Sequence, residues 1–148
     1  MGLKVPIVEI KINGINFKGL VDTGSSVTYC RASTVKKLKL ENSYQNSSNV
    51  TGIAANGSRF VFLGELYPII EMGRIKVKTR MLVSEDKNWP TDIIIGIDFL
   101  RKINEMDKDI KFDLITGQLI IDNEINEFIN TLSSFNTLSD ITRIILFA

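Results

Sequence analysis

Apolar and polar residues alternate at the start of the chain, on both sides of an Asn13-Gly14 pair. The alternation runs from residue 5 to residue 21, and a period of two is typical of a β-strand with one buried face. Asn-Gly is the dipeptide that best accommodates the positive φ angles of a two-residue hairpin turn. This stretch therefore predicts a β-hairpin whose second strand ends at Asp22.

Three later segments also have the character of β-strands. Residues 50–66 carry a second Asn-Gly pair, Asn56-Gly57, between β-prone residues, and residues 110–121 break at Thr116-Gly117. Both patterns predict hairpins. Residues 74–83 place Ile75, Val77, Thr79, Met81 and Val83 on one face and Lys76, Lys78 and Arg80 on the other, which predicts one half-buried strand.

Short helices are predicted at two places between these strands. Residues 32–40 place Ser33 or Thr34 as a cap before a helical turn. Residues 92–103 begin with an apolar run, turn at Gly96 and continue with helical spacing, so we predict a buried strand, a sharp turn and a helix. The many short strands and tight turns predict an all-β fold, either a barrel or a sandwich.

The pattern changes after residue 122. Apolar residues recur there at helical spacing, at Ile125, Phe128, Ile129 and Leu132. We therefore predict a β-rich domain over residues 1–122 and a helical C-terminal extension over residues 123–148. The extension packs on its own domain, contributes to an interface between subunits, or is the remnant of a connection to a neighbouring domain.

Composition narrows the possible chemistry. The 148 residues fit one domain, and the 18 basic and 17 acidic residues nearly cancel, which does not favour nucleic acid as a partner. No apolar stretch reaches the roughly 20 residues of a membrane helix. There is no histidine and Cys30 is the only cysteine, so zinc sites, Ser-His-Asp triads and Cys-His pairs are excluded. No metal or cofactor is expected, and the lone cysteine and the absence of a signal-peptide pattern favour a cytoplasmic location.

Asp22 needs an explanation because it follows the apolar Leu20 and Val21. A buried carboxylate is costly unless it is paired, hydrogen-bonded or protonated. In the simplest interpretation, it accepts hydrogen bonds from the backbone of residues 23–25 and stabilises a turn. A second apolar stretch that ends in a glycine turn, residues 93–96, follows about 70 residues later and indicates more than a local turn.

The segments LVDTGSS, residues 20–26, and IIIGIDFLRK, residues 93–102, resemble the retroviral-type, or retropepsin-like, aspartic proteases. The resemblance is strongest to the proteases of long-terminal-repeat retrotransposons, and it extends from residue 5 to about residue 121 with the elements in the same order. It implies a closed barrel-like retropepsin fold with a flap hairpin and one short helix after the Ile-Ile-Gly turn. Here the helical tail follows that fold.

The chemistry of this family requires two carboxyl groups. One takes a proton from water, the other protonates the substrate, and the two share a proton because they cannot both ionise at close range. Asp-Thr-Gly occurs only once in the chain. The resemblance therefore implies a homodimer in which an identical subunit supplies the second acid across a two-fold axis.

The resemblance also implies roles for individual residues. Asp22 supplies the catalytic carboxyl, Thr23 hydrogen-bonds at the subunit interface, and Gly24 lets the backbone pass close beneath the carboxyls. Ser25 supports the carboxyls and the substrate. The strand and turn beneath the acids are Ile94, Ile95 and Gly96, and the flap that binds substrate is Ile53, Ala54, Ala55, Asn56, Gly57 and Ser58.

Two positions depart from the viral pattern. Viral members commonly have an Asp two residues after the motif glycine and an Arg after the second glycine turn, which form an ion pair near the interface. Here these positions are Ser26 and Ile97, so the dimer contacts must differ, and the tail helices are candidates to replace the viral interface strands. Asp92 and Asp98 are interpreted as turn or helix-start acids.

The implied function is that of a homodimeric aspartic endopeptidase that processes a retroelement Gag-Pol polyprotein, in the cytoplasm or inside virus-like particles. Its partners are then a second copy and a peptide or polyprotein substrate, with no nucleic acid and no membrane. Two alternatives stay open: a cellular retroviral-like protease of the ubiquitin-shuttle type, and a non-catalytic dimerisation or peptide-binding module. The intact Asp-Thr-Gly disfavours the module, because loss of catalysis would leave that motif free to change.

Overall fold

The protein is described by a computed structural model, which covers residues 5–46, 51–53, 57, 59–86 and 91–129. Its strands are β1 Ile7–Ile12, β2 Ile15–Val21, β3 Tyr29–Arg31, β4 Gln45–Asn46, β5 Thr51–Ile53, β6 Arg59–Val61, β7 Gly64–Leu66, β8 Ile69–Met72, β9 Ile75–Lys78, β10 Met81–Ser84, β11 Ile93–Ile95, β12 Ile110–Asp113, β13 Gln118–Ile121 and β14 Glu124–Glu127. Its helices are α1 Ala32–Lys37 and α2 Ile97–Glu105. The strands form one nine-stranded sheet in the order β4-β7-β10-β3-β11-β2-β1-β8-β9, a three-stranded sheet β12-β13-β14 and a two-stranded sheet β5-β6.

The first hairpin is confirmed. Strands β1 and β2 pair antiparallel up to Ile12 and Ile15, and the two turn residues, Asn13 and Gly14, have φ angles of 52° and 78°. Positive φ at both central positions matches the twist of the flanking strands. This hairpin carries the chain to Asp22 at the end of β2.

Strand β11 is the centre of the large sheet. It runs parallel to β2, with Ile95 opposite Val21, and antiparallel to β3, with Ile94 opposite Tyr29. A parallel pair cannot be joined by a tight turn. The pairing therefore brings together two segments that lie about 70 residues apart in the sequence.

Five buried side chains form what we call the apolar row, on the face of the large sheet that carries Asp22. The row crosses five strands in register: Ile7, Leu20, Ile94, Tyr29 and Leu82. Because side chains alternate along a strand, Leu20 and Asp22 point to the same face. Asp22 therefore lies beside the apolar row, on the same face of the sheet.

The opposite face of the sheet packs on the main core. Helix α2 contributes Phe99, Leu100 and Ile103 to this core, and the three-stranded sheet contributes Leu119 and Ile121. These residues cover the underside of β2 and β11. The last three residues of β2 and all of β11 are therefore buried on both faces.

Residues 74–83 form two strands rather than the single strand predicted from their alternation. Strand β9 pairs with β8, whereas β10 pairs with β3 and β7. The break falls at Thr79, which is buried and whose N–H donates to Pro68 O at 3.1 Å. Burial alternates as predicted from Ile75 to Met81, but all four residues of β10 are buried, so the prediction of a half-buried strand is wrong for β10. The pattern identified the inward face of β9. It could not identify the change of neighbouring strand.

The prediction that Ser33 or Thr34 caps α1 is wrong. The helix begins after Arg31, whose side chain makes no capping hydrogen bond. Instead the Ser33 N–H donates to Asp86 Oδ1 at 2.9 Å. A carboxylate that is distant in sequence thus satisfies the first turn, and local sequence could not indicate it.

The helix predicted from residue 123 is also wrong for residues 124–127, which form β14 beside β13. Asp122 and Asn123 have φ angles of 50° and 67° and form a second turn of the same kind as Asn13-Gly14. Residues 130–148 lie outside the described residues. The division at residue 122 stays a prediction.

Candidate functional site

Asp22 lies directly after β2 and is only 4% exposed. Its N–H donates to Ile95 O at 2.9 Å, which extends the β2–β11 pairing by one residue. Its Oδ1 accepts the Gly24 N–H at 3.0 Å. The predicted turn is therefore present, but a turn alone does not explain why the carboxyl is buried.

Burial raises the pKa of Asp22, and the hydrogen bonds from the backbone of Gly24 and Ser25 only partly oppose this effect. Among the described residues, no lysine or arginine forms an ion pair with it. A buried carboxyl without a cation holds a proton more readily than an exposed one. Such a group can act as an acid or as a base at a higher pH than an exposed aspartate can.

Asp92 shows the contrast, because it is a partly buried carboxyl with cations beside it. Its Oδ1 lies 2.7 Å from Arg31 Nη2 and 3.7 Å from Lys37 Nζ. Burial alone would raise the pKa of Asp92, but these cations and the Lys18 N–H bring it below its usual range. Asp92 lines a cavity of about 440 Å³ together with Glu9, Asn16, Phe17, Lys18, Arg31, Thr91 and Ile129. Its charge is thus compensated within the fold, unlike that of Asp22.

The loop after Asp22 is tied to the start of α2. The Ile97 N–H donates to Ser25 O at 2.8 Å, and the Gly96 N–H donates to Thr28 Oγ1 at 3.0 Å. Gly96 has no room for a side chain, because a Cβ there would lie 2.3 Å from Val27 O. The glycine therefore allows the two chain segments to cross in contact.

Thr28 and Asp98 complete this crossing. The Thr28 hydroxyl donates to Asp98 Oδ1 at 2.6 Å, and the Thr28 N–H donates to Asp98 Oδ2 at 3.1 Å. Thr28 is fully buried. Asp98 does lie in the first turn of α2, as predicted, but it also fixes the loop that carries Asp22. Sequence analysis missed this pair because the two residues are 70 positions apart, although Asp98 lies in the IIIGIDFLRK segment.

Thr28→Val is expected to lower the free energy of unfolding by about 2–4 kcal/mol, because it leaves the Gly96 N–H and Asp98 Oδ1 without the Thr28 hydroxyl. Urea denaturation measures the loss. Thr28→Ser keeps the hydroxyl and should stay within about 1.5 kcal/mol of the wild type. Equal stability of the valine and serine variants would contradict the role of this hydroxyl.

The structure brings most of the predicted site residues into one place. Thr23 and Gly24 are exposed in the loop beside Asp22, and the Ser25 hydroxyl donates to Val27 O at 2.6 Å. Ile94 belongs to the apolar row, and Ile95, on the opposite face, accepts the Asp22 N–H through its carbonyl.

The hairpin predicted around Asn56-Gly57 is present in its strands, and its role as a flap stays a prediction. Strand β5 pairs with β6, with Ile53 opposite Arg59, and Gly57 has a φ of 85°. Ile53 is two-thirds exposed. Four of the predicted flap residues lie outside the described residues: Ala54, Ala55, Asn56 and Ser58.

Tyr29 is a candidate residue of the Asp22 site that sequence analysis did not identify. It belongs to the apolar row, and its ring meets that of Phe62 edge-on, with the centroids 5.6 Å apart. Burial raises the pKa of Tyr29, and the charge of Asp22 raises it further. The phenol is therefore neutral and close enough to the carboxyl to sense its charge. The alternation of β3 was the available signal, but the strand is too short to show it.

Other chemistries find no support in the described part of the chain. Burial raises the pKa of the Cys30 thiol to about 12, so this cysteine is neutral and unreactive. Within residues 5–46, 51–53, 57, 59–86 and 91–129, no group of three or more His, Cys, Asp or Glu side chains is placed to hold a metal ion. Over the same ranges, no helix is long and apolar enough to span a membrane.

Comparison with protein families gives one match. The model of the family described as "gag-polyprotein putative aspartyl protease" matches residues 8–102, which include both segments of the Asp22 site. No curated protein sequence matches the chain significantly.

Several solved structures have the same fold. The retroviral protease-like domain of Ddi1 from Leishmania major has a TM-score of 0.65 and 23% identity, covering 85% of this chain and 94% of that one. The EIAV protease in complex with the inhibitor HBY-793 has a TM-score of 0.52 and 24% identity, covering 68% and 89%. A retropepsin-like aspartic protease from Rickettsia conorii has a TM-score of 0.53 and 20% identity, covering 72% and 82%.

These likenesses confirm the predicted fold class, a mostly β structure with a curled sheet, and the family model covers well over half of the chain. Proteins with this fold are generally dimeric and act on peptides. The chain belongs to the gag-polyprotein aspartyl protease family, within the retropepsin-like aspartic proteases.

Proposed function

We propose that this chain is a homodimeric aspartic endopeptidase in which Asp22 from each of two copies forms the catalytic pair. The observation that carries the proposal is a buried carboxyl with a raised pKa and no cation beside it among the described residues, held at the end of the paired strands β2 and β11. One such acid is half of a proton-sharing pair. A second copy supplies the other half.

The reaction needs both protonation states of the pair. The ionised Asp22 of one copy takes a proton from water, and the water oxygen adds to the peptide carbonyl carbon. The protonated Asp22 of the other copy gives its proton to the carbonyl oxygen. The resulting tetrahedral intermediate then collapses. A proton passes to the amide nitrogen, the C–N bond breaks, and a carboxylic acid and an amine leave.

Other residues position these two acids and the substrate. The Gly24 N–H holds one oxygen of Asp22 in place, and the Gly96 crossing fixes the loop. Thr23 is exposed beside Asp22 and hydrogen-bonds to its counterpart across the interface. The hairpin formed by β5 and β6 closes over an extended peptide and adds backbone hydrogen bonds in the manner of an extra strand.

The substrate is proposed to be a retroelement polyprotein, cleaved in the cytoplasm or inside virus-like particles. The name of the matching family supports this choice. The likeness to the protease-like domain of Leishmania Ddi1 supports a cellular protease of the ubiquitin-shuttle type as the second candidate. The two share the cleavage chemistry and differ in the protein that is cut.

A peptide-library assay with and without the aspartic-protease inhibitor pepstatin tests the proposal. We expect inhibitor-sensitive cleavage between apolar residues, with a bell-shaped pH dependence from the two ionisations of the pair. Specific activity should fall on dilution as dimers dissociate. If a dimeric sample shows no inhibitor-sensitive cleavage between about pH 3 and pH 8, the chain is a non-catalytic binding module.

A further inference from the structure

The turn between β12 and β13 presents two large apolar side chains to solvent. Ile115 is 97% exposed and Leu114 is 73% exposed, which makes them the most exposed of the large apolar residues that the structure describes. We call these two residues the hairpin tip. Exposed apolar residues that lie side by side are typical of an interaction surface.

The hairpin tip is held rigidly by its own turn. Asp113 Oδ1 accepts the N–H groups of Ile115 and Thr116 at 3.1 and 3.0 Å, and Asp113 O accepts the Gly117 N–H at 2.9 Å. Gly117 has a φ of 72°, which favours glycine. These hydrogen bonds hold the backbone of the turn in place, which reduces the entropy cost of ordering this segment on binding.

Three backbone hydrogen bonds connect the hairpin tip to the Asp22 end of the molecule. The Phe128 N–H donates to Gly117 O at 2.7 Å, and the next residue, Ile129, donates its N–H to Ile7 O at 2.7 Å. The neighbouring Pro6 O accepts the Val21 N–H at 2.8 Å, directly before Asp22. The hairpin tip and the acid therefore lie toward the same end of β1.

The proposed function requires a second copy at this same end. Two carboxyls that share a proton must lie about 3 Å apart, so the partner has to approach the loop that carries Asp22. The exposed residues of that loop are Thr23, Gly24 and Ser26, which carry no charge. A stable dimer buries roughly 800 Å² on each subunit and needs an apolar centre, which this loop alone does not supply.

We propose that Leu114 and Ile115 pack against a second copy of this chain and form the apolar centre of the dimer interface. The inference rests on the proposed function, because catalysis by a shared acid pair requires the second copy at this end. In a two-fold dimer the same contact forms twice, once with the hairpin tip of each copy. Apolar packing thus takes the place of the ion pair that viral members commonly have near the interface. This is consistent with the residues that this chain has at those two positions, Ser26 and the partly buried Ile97.

Sedimentation equilibrium of a Leu114→Ser/Ile115→Ser variant tests the inference, with all proteins carrying Asp22→Asn so that self-digestion cannot interfere. We expect the dimer dissociation constant to rise at least about 100-fold, because two buried apolar side chains are lost from each subunit. The matched control is Ile69→Ser, an equally simple change at a half-exposed isoleucine of β8. It should leave the constant within about threefold, because Ile69 lies toward the opposite end of β1.

The two hypotheses fail in different ways. If the double variant dimerises as well as the parent, or if the parent is a monomer at every concentration, the interface inference is wrong. With Asp22 restored, the double variant should regain full specific activity at high protein concentration, because only association is weakened. If the double variant dimerises more weakly but the wild type cleaves no peptide, the interface inference is upheld and the proposed protease function is contradicted. Circular dichroism checks that each variant is folded.

Discussion

Asp22→Asn is expected to lower kcat/KM for peptide cleavage by at least about 10³-fold, because asparagine can neither take a proton from water nor give one to the substrate. The substitution changes both acids of the dimer at once. A steady-state peptide assay, with the variant purified away from any wild-type protein, measures the loss. Cleavage by the variant at the wild-type rate would contradict the proposed mechanism.

The same variant carries its own control for folding. Burial raises the pKa of Asp22, so ionisation favours the unfolded chain, and the wild type loses stability as the pH rises through the ordinary aspartate range to the raised value. Asparagine has no charge to bury and still offers an oxygen to the Gly24 N–H. The variant should therefore have a higher Tm than the wild type at neutral pH and nearly the same Tm at strongly acidic pH. An inactive variant with this profile is folded.

Gly96→Ala is expected to lower the free energy of unfolding by at least about 2 kcal/mol and to reduce activity in the protein that stays folded. The added Cβ would lie 2.3 Å from Val27 O and 2.9 Å from Ser25 O, and both contacts are to backbone. The φ of −94° at this residue suits any amino acid, so the cost is steric. The loop that carries Asp22 has to move to make room. Chemical denaturation and the peptide assay measure the two effects.

Gly19→Ala is the matched control, because Gly19 lies in β2 and pairs with Ile93 of β11, the strand that ends directly before Gly96. A Cβ at position 19 would approach side-chain atoms of Ile10 and Ile95 at 3.2 to 3.4 Å, and side chains can shift where backbone cannot. This variant should lose less than about 1 kcal/mol and keep its activity. Equal losses at the two glycines would show that the crossing at Gly96 is not specially tight.

The hairpins and the Asp22 motif could be predicted from the sequence because each depends on neighbouring residues. Asn13-Gly14 dictates its turn through the φ angles that these two residues tolerate, and the alternation of residues 75–81 reports the buried face correctly. Asp122-Asn123 encodes a turn by the same logic. The helical spacing of the residues after it obscured that signal, and β14 was missed.

The parts of the site that sequence analysis missed depend on distant pairs. Thr28 and Asp98 become partners only because β11 lies between β2 and β3, and Asp86 reaches Ser33 across a similar separation. Nothing in either local segment specifies these contacts. Tyr29 likewise becomes part of the site only through its position opposite Ile94.

The position of β11 between β2 and β3 also determines at which stage of protein synthesis the structure around Asp22 can form. The Asp-Thr-Gly segment emerges from the ribosome long before residues 93–98, which provide its neighbouring strand, its crossing glycine and the partner of Thr28. Contacts this distant in sequence form late and slowly, because the intervening loop must first be closed. A nascent chain that ends before Asp92 therefore carries the Asp-Thr-Gly segment without the strand and turn that bury Asp22. Under the proposed function, no peptide can be cleaved until this strand and turn have been synthesised and folded.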